Sequence, residues 1–321
     1  MIKSNLMQLF VRVFMVVSFV SFVFASQAQD LRFVDDTLVS IPEDSPVKLR
    51  WTIPPSADSS FSPVVFLRNN PNFTFSVDKN ENVWIGYADR LICMSKEFAF
   101  RLSEPFQQMI QLDNGAMVFS TMLEVGFAKG DEIKDSPEKG LPVLPFQAFA
   151  RFPEAYAKIL PFTNDSILAV TEKKGKTTAY LLESDKGENS LKPLAIRAWK
   201  KLFEIDSSLG AMTWVPGSSN GKLWFSIDNY IYLYDDTDHS FSIKARLPAD
   251  KKIRQLAATR DQLFYATENQ VGIIGPDKHQ VILQTPFPKI CCRNEKLFVL
   301  LTGCMGVIEV ENISSPAKII K

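Results

Sequence analysis

The chain is organised by short apolar runs, rich in aromatic and β-branched residues, each preceded by a turn of Asn, Asp, Gly, Lys or Arg. The pattern recurs as NENVWIG at Val83, NGAMVFS at Met117, NDSILAV at Ile167, NGKLWFS at Leu223, RDQLFYA at Leu263 and NEKLFVL at Leu297, with starts 34, 50, 56, 40 and 34 residues apart. These runs are apolar at consecutive positions rather than alternate ones, which is the signature of a strand covered on both faces. The fourth copy shows its neighbours most clearly. Ala211 to Val215, Leu223 to Ile227, Tyr230 to Tyr234 and Phe241 to Ala245 read as four strands, with Asp228-Asn229 as a tight turn between the second and third. A four-stranded antiparallel unit of about 43 residues has the period of a propeller blade. Such a unit cannot cover both of its own faces, so the copies are expected to stack in a ring.

The first copy carries a family resemblance. Asp78-Lys79-Asn80-Glu81-Asn82-Val83-Trp84-Ile85-Gly86 resembles the blade signature of the two-component-regulator propeller repeats, with Glu81 where the family usually has Gly. The other five copies keep the apolarity rather than the letters. The resemblance spans roughly residues 70–321 and implies an all-β fold, a β-propeller over 69–321 of six four-stranded blades, with seven as the alternative. Residues 29–68 hold strand-like runs at Leu31 to Val34, Val47 to Ile53 and Val64 to Leu67, which either close the ring beside the last blade or form a partial blade. The tail from Val307 to Lys321 reads as the third and fourth strands of the last blade. Lys129 to Lys139 and Glu183 to Asn189 are polar loops, and the mixed spacing of Phe146 to Ile159 and Ala195 to Phe203 allows short surface helices.

Residues 1–28 obey a different grammar. Lys3 and Arg12 precede an apolar stretch from Val13 to Ala25, and Ser26-Gln27-Ala28 offers small residues where a signal peptidase cuts, so cleavage is expected after Ala28. Thirteen helical residues rise only about 20 Å, short of the roughly 30 Å hydrocarbon core, which disfavours a retained anchor. The expectation is a soluble periplasmic or extracellular protein with no membrane insertion after cleavage. The full chain of 321 residues carries 36 basic and 36 acidic residues; removing Lys3 and Arg12 leaves 34 against 36, a net charge of −2. A neutral chain with no block of Lys or Arg lacks the footprint for phosphate-backbone binding, so nucleic acid is not an expected partner.

Several short motifs have the letters of chemistry without its context. Gly217-Ser218-Ser219-Asn220-Gly221 matches a nucleophile elbow, but a strand follows where that elbow needs a helix. Gly175-Lys176-Thr177 lacks the upstream glycine of a phosphate loop, since position 170 is Val170. Asp78, Asn80 and Asn82 have the spacing of the first EF-hand ligands, yet Val83 stands where that loop turns on glycine. Two histidines and four dispersed cysteines give no zinc or haem spacing, and no cofactor is expected. Oxygen ligands converging on the axis of a ring would leave no local pattern, so a metal is left open. In an oxidising compartment Cys291 or Cys292, neighbours on one strand with opposite faces, either pairs with Cys304 or stays reduced with Cys93 as a small apolar residue.

In propellers of the kind this chain resembles, loops joining the second and third strands share one face with the crossovers between blades, and ligands bind there. The resemblance assigns Asp89, Arg90, Asp228, Asn229, Glu268 and Asn269 to the first kind of loop, and Glu104, Lys251, Lys252 and Arg254 to the second. Charged residues brought from several blades to one concave mouth would orient a polar ligand. The expected function is non-enzymatic binding or scaffolding of a protein or glycan partner at that mouth. The alternative is a lactonase-like hydrolase or lyase with a metal on the ring axis, weakened by the absence of a Glu-Gly-Pro motif and of sialidase-type Asp boxes.

Overall fold

The computed structural model describes residues 48–53, 73–96, 98–112, 116–128, 141–154, 157–162, 166–182, 199–215, 221–248, 252–275, 279–302 and 306–311. Strand β1 (Lys48–Ile53) comes first in the chain. The first blade holds β2 (Thr74–Val77), β3 (Val83–Tyr87), β4 (Arg90–Cys93) and β5 (Phe98–Leu102). The second holds β6 (Gln108–Gln111), β7 (Met117–Ser120) and β8 (Glu124–Ala128) and, after the short β9 (Val143–Leu144), is completed by β10 (Phe146–Arg151). The third is β11 (Lys158–Pro161), β12 (Ile167–Lys173), β13 (Lys176–Leu182) and β14 (Lys200–Ile205); the fourth is β15 (Met212–Trp214), β16 (Lys222–Ile227), β17 (Tyr230–Asp235) and β18 (Ser240–Arg246). The fifth is β19 (Gln255–Ala258), β20 (Leu263–Ala266), β21 (Gln270–Ile274) and β22 (His279–Gln284), and the last contains β23 (Lys289–Arg293), β24 (Lys296–Leu301) and β25 (Gly306–Glu311).

All six apolar runs picked out by the sequence are second strands: β3, β7, β12, β16, β20 and β24. Their alternate residues face different neighbours, which explains why both faces are apolar. In β16, Leu223 and Phe225 join a core with Leu168, Val170 and Ala179 of the third blade, whereas Trp224 joins Leu256, Leu263 and Tyr265 of the fifth. In β20, Phe264 and Ala266 turn the other way, onto Leu297, Val299 and Ile308 of the last blade. The hydrophobic cores therefore lie between blades, and β24 and β25 close the circle by setting Phe298, Leu300 and Val307 against Val77, Val83 and Ile85 of the first blade. The innermost strands β2, β6, β11, β15, β19 and β23 neighbour one another all the way round.

The closing strand is β1. It pairs antiparallel with β25, Leu49 opposite Val310 and Trp51 opposite Ile308, so the fourth strand of the last blade comes from the N-terminal side of the chain. The tail from Val307 supplies only the third strand among the described residues; its expected fourth, at 317–320, lies outside them, as do the runs at 31–34 and 64–67 and the signal segment. The segments expected to allow helices contain strands instead. Phe146–Arg151 and Lys158–Pro161 are β10 and β11, and Lys200–Ile205 is β14, because Phe149, Ile159 and Phe203 each bury a side chain between blades. A 3-10 turn at Met94–Lys96 is the helical element of the described residues.

Outer strands are managed as edges. Five of them carry one extra residue in their pairing: Phe149, Leu202, Lys244, Ile282 and Thr52 each sit at a register shift. Such a bulge twists an edge and spoils it as a template for foreign strands. The outer strand of the first blade, β5, pairs without a shift, and it is the one covered by a further strand. Val143 and Leu144 of β9 lie parallel to Arg101 and Leu102.

Candidate functional site

Every turn between second and third strands that the site expectation named is bonded to the chain leaving the outer strand of its own blade. Leu102 N donates to Asp89 O at 2.7 Å and Phe106 N to Ala88 O at 2.8 Å; Leu247 N donates to Asn229 O at 2.8 Å. Thr285 N donates to Asn269 O at 3.1 Å and Phe287 N to Glu268 O at 2.6 Å, and the second blade repeats the bond with Phe152 N on Leu123 O at 2.8 Å. The turns and crossovers thus occupy one face. Asp89, Arg90, Glu104, Asp228, Asn229, Lys252, Arg254, Glu268 and Asn269 all belong to it, while Lys251 lies outside the described residues.

Sharing a face does not leave these side chains equally available. Asp89 Oδ2 accepts from Arg101 Nε at 2.6 Å, and Glu268 is ion-paired to Arg254, each within its own blade. Asn229 Nδ2 donates to Leu247 O at 2.6 Å, fastening its turn to the end of β18. Asn269 Oδ1 accepts from Thr267 Oγ1 at 3.1 Å. Asp228, Glu104 and Lys252 are exposed; Asp228 sits at φ 51, the left-handed conformation that this tight turn requires. Exposed pairs such as Arg101–Asp89 contribute little to stability. Their effect is to cancel charge on the rim and hold the loops still.

Phe287 is a residue on this face that sequence reasoning missed. It lies in the crossover from the fifth blade to the sixth, with its backbone at φ 46 and its side chain 64% exposed. A bulky L residue rarely adopts that conformation. It is held there by its N–H on Glu268 O and by Thr302 Oγ1, which donates toward Phe287 O at 3.2 Å and Pro286 O at 3.3 Å. Flanking prolines at 286 and 288 were the only signal of a constrained turn.

The opposite face explains the resemblance of the first blade. Asp78 is buried and accepts four hydrogen bonds, from Asn80 N at 2.8 Å, Asn82 N at 2.9 Å, Asn82 Nδ2 at 2.8 Å and Trp84 Nε1 at 2.9 Å. Burial alone would raise its pKa, but the bonds from Asn82, Trp84 and Asn80 outweigh it and hold the carboxyl below its ordinary 3.8. The spacing shared with EF-hand ligands is therefore a turn folded around one carboxylate. Lys174 at φ 54 and Gly175 at φ 75 form the two-residue turn between β12 and β13, and Gly221 leads into strand β16. The first is a hairpin turn rather than a phosphate loop, and residues 217–220 of the elbow-like motif lie outside the described residues.

Among the described residues no three His, Cys, Asp or Glu side chains lie close enough together to hold a metal ion. Cys93, Cys291 and Cys292 are free thiols. Cys291 faces the first blade and Cys292 the fifth, and burial raises both thiol pKa values. The pairing expected with Cys304 falls outside the described residues.

No family model and no curated protein matches the chain. Among solved structures it is similar to a luciferin-regenerating enzyme, at 10% identity over 77% of this chain and 94% of that one, with a TM-score of 0.47. It is also similar to the extracellular domain of the putative one component system BT4673 from B. thetaiotaomicron, at 9% identity over 78% of this chain and 42% of that one, with a TM-score of 0.45. A chain of the Mitotic Checkpoint Complex aligns at 9% identity over 88% of this chain and 95% of that one, with a TM-score of 0.47. Sequence identities this low say nothing about a ligand. By its own strand order and ring closure, the chain is a six-bladed β-propeller.

Proposed function

We propose that this chain is an exported, non-enzymatic binding or scaffolding propeller that holds a protein or glycan partner on its loop-bearing face. The observation that carries the reading is the stitching of turns to crossovers. Backbone bonds such as Leu102 N to Asp89 O and Thr285 N to Asn269 O fix the turn of each blade to the crossover that leaves it, and Asp228, Glu104 and Lys252 are exposed on this loop-bearing face. A preorganised polar surface binds with little ordering cost. Export rests on the signal grammar of residues 1–28; no helix among the described residues is long and apolar enough to cross a membrane.

Photo-crosslinking tests the reading directly. A photoreactive amino acid substituted at Asp228 or Lys252 is expected to trap a partner from the envelope of the producing cell. The same substitution at Asp261, in the β19–β20 turn on the opposite face, is expected to trap none. Equal capture from both faces, or capture only at Asp261, would reject this face. Mature protein beginning at Gln29 is the expected outcome of N-terminal sequencing, and an intact Met1 rejects the export.

A further inference from the structure

The six innermost strands begin with Thr74, Gln108, Lys158, Met212, Gln255 and Lys289, all at the loop-bearing end. Three of these side chains reach the start of the next inner strand round the ring. Gln108 Oε1 accepts from Ile159 N at 2.7 Å, Gln255 Oε1 accepts from Ile290 N at 2.8 Å, and Lys289 Nζ donates to Phe73 O at 3.1 Å. The N–H groups of Ile159 and Ile290 lie on the strand edge that has no partner within its own sheet, which in a ring is the edge facing the axis.

This arrangement decides the polarity of the mouth. An amide whose oxygen is engaged by a backbone N–H keeps both of its own N–H donors free, so each glutamine brings donors to the start of its strand. Neither amide nitrogen is bonded to another described residue. Lys289 keeps two of its three N–H donors. Its ammonium stands 4.7 Å from the centre of the Phe73 ring, and burial lowers its pKa. Lys158 is exposed and has no ion pair among the described residues. Ring order sets Lys158 three blades from Lys289 and Gln108 three blades from Gln255, so donors stand on opposing sides. None of the six residues that open the inner strands is acidic; in the surrounding loops Asp89 is paired with Arg101 and Glu268 with Arg254, while Asp228 and Glu104 stay exposed.

Donors and cations at the inner strand starts, with no acid among them, select a ligand rich in acceptors and negative charge. We propose that the axial mouth binds an oxyanion-bearing ligand, carrying carboxylate or phosphate groups, with Lys289 as its principal cation and Lys158, Gln108 and Gln255 as further donors. This deepens the binding reading above and rests on the same face being the functional one.

The test is calorimetric titration of the mature protein with oligogalacturonate and with inorganic pyrophosphate, using a neutral glucose oligomer as control. One anion is expected to bind and the neutral oligomer not; which of the two binds separates a carboxylate source from a phosphate source. Lys289→Gln should weaken that binding at least tenfold, and raising salt from 0.05 to 0.5 M should weaken it further. Lys158→Gln, at an exposed position, supplies a second reading and should cost several-fold even if Lys289→Gln folds poorly. Lys96→Gln, which removes the same charge at the Met94–Lys96 turn on the opposite face, should change nothing. The inference is overturned if neither anion binds, if both lysine variants bind as tightly as the parent, or if Lys96→Gln loses as much. Crosslinks at Asp228 and Lys252 without anion binding would remove this inference and leave the docking reading; anion binding without those crosslinks would do the reverse.

Discussion

Glu81 Oε2 lies 3.0 Å from Lys296 Nζ, a contact between the first blade and the last across the seam where the ring closes. The same ammonium lies 3.0 Å from the buried Glu309, and Glu81 Oε1 accepts from Asn294 Nδ2 at 3.2 Å. Glu81 occupies the position where the blade signature carries glycine, and its φ of 61 keeps the left-handed conformation that glycine would supply. The departure from the signature thus exchanges a relaxed turn for a clasp. Lys296→Met should destabilise by roughly 2 kcal/mol, because Glu309 then loses the ammonium that accompanies its burial. Glu81→Gln, at a part-exposed pair, should cost less than about 1 kcal/mol. Chemical denaturation of both variants checks the order; equal losses would contradict it.

Asp78 predicts a pH dependence. Its folded pKa lies below its unfolded one, so the four hydrogen bonds stabilise fully above the ordinary value of 3.8 and their benefit disappears as pH falls through the folded pKa. Thermal unfolding from pH 6 to 3 should therefore cost the parent more stability than it costs Asp78→Asn. At pH 7, Asp78→Ala should lose about 2 to 3 kcal/mol by orphaning buried donors. Parallel curves for the parent and Asp78→Asn would contradict the assignment.

Gly126 on β8 has no room for a side chain. A Cβ there would overlap the backbone carbonyl of Gln147 on the neighbouring β10, an atom that cannot rotate away. Gly126→Ala should destabilise by roughly 2 kcal/mol. Gly175→Ala meets open space but keeps a φ of 75, so its cost should be the smaller and conformational in origin. Urea denaturation of the two variants measures the difference.

Phe287 should be a position where a smaller residue stabilises the fold. Phe287→Gly relieves a left-handed aromatic residue that buries little, so a gain of roughly 0.5 to 1 kcal/mol is expected from thermal unfolding. A loss of similar size would show that the ring contributes more packing than its exposure suggests.

The cores of the blades are legible as letters because the information is local. A run such as Leu263-Phe264-Tyr265-Ala266, apolar at every position and framed by turns, can only be a strand covered twice, and six such runs at a blade-like spacing demand a ring. Asp228-Asn229 likewise declares its turn through residues that tolerate a left-handed backbone. Nothing local says that Lys48–Ile53 will lie beside Gly306–Glu311, or that β9 will cover the one unshifted edge, because those pairings join segments whose own patterns are ordinary strands. The strands of 146–161 look ambiguous for the same reason: burial between blades, not propensity, made them β.

The site divides in the same way. That Asp89 and Glu268 stand in turns on the loop-bearing face follows from blade order alone. That their charge is consumed by Arg101 and Arg254 depends on side chains brought together only when each blade folds. The donor ring at the mouth is more remote still, since Gln108, Lys158, Gln255 and Lys289 come from four blades and acquire a common direction from ring closure. Strand formation is a contest between a segment and its nearest turns, which the order of residues settles; ring closure and charge pairing are contests between distant segments, which only the assembled geometry can decide.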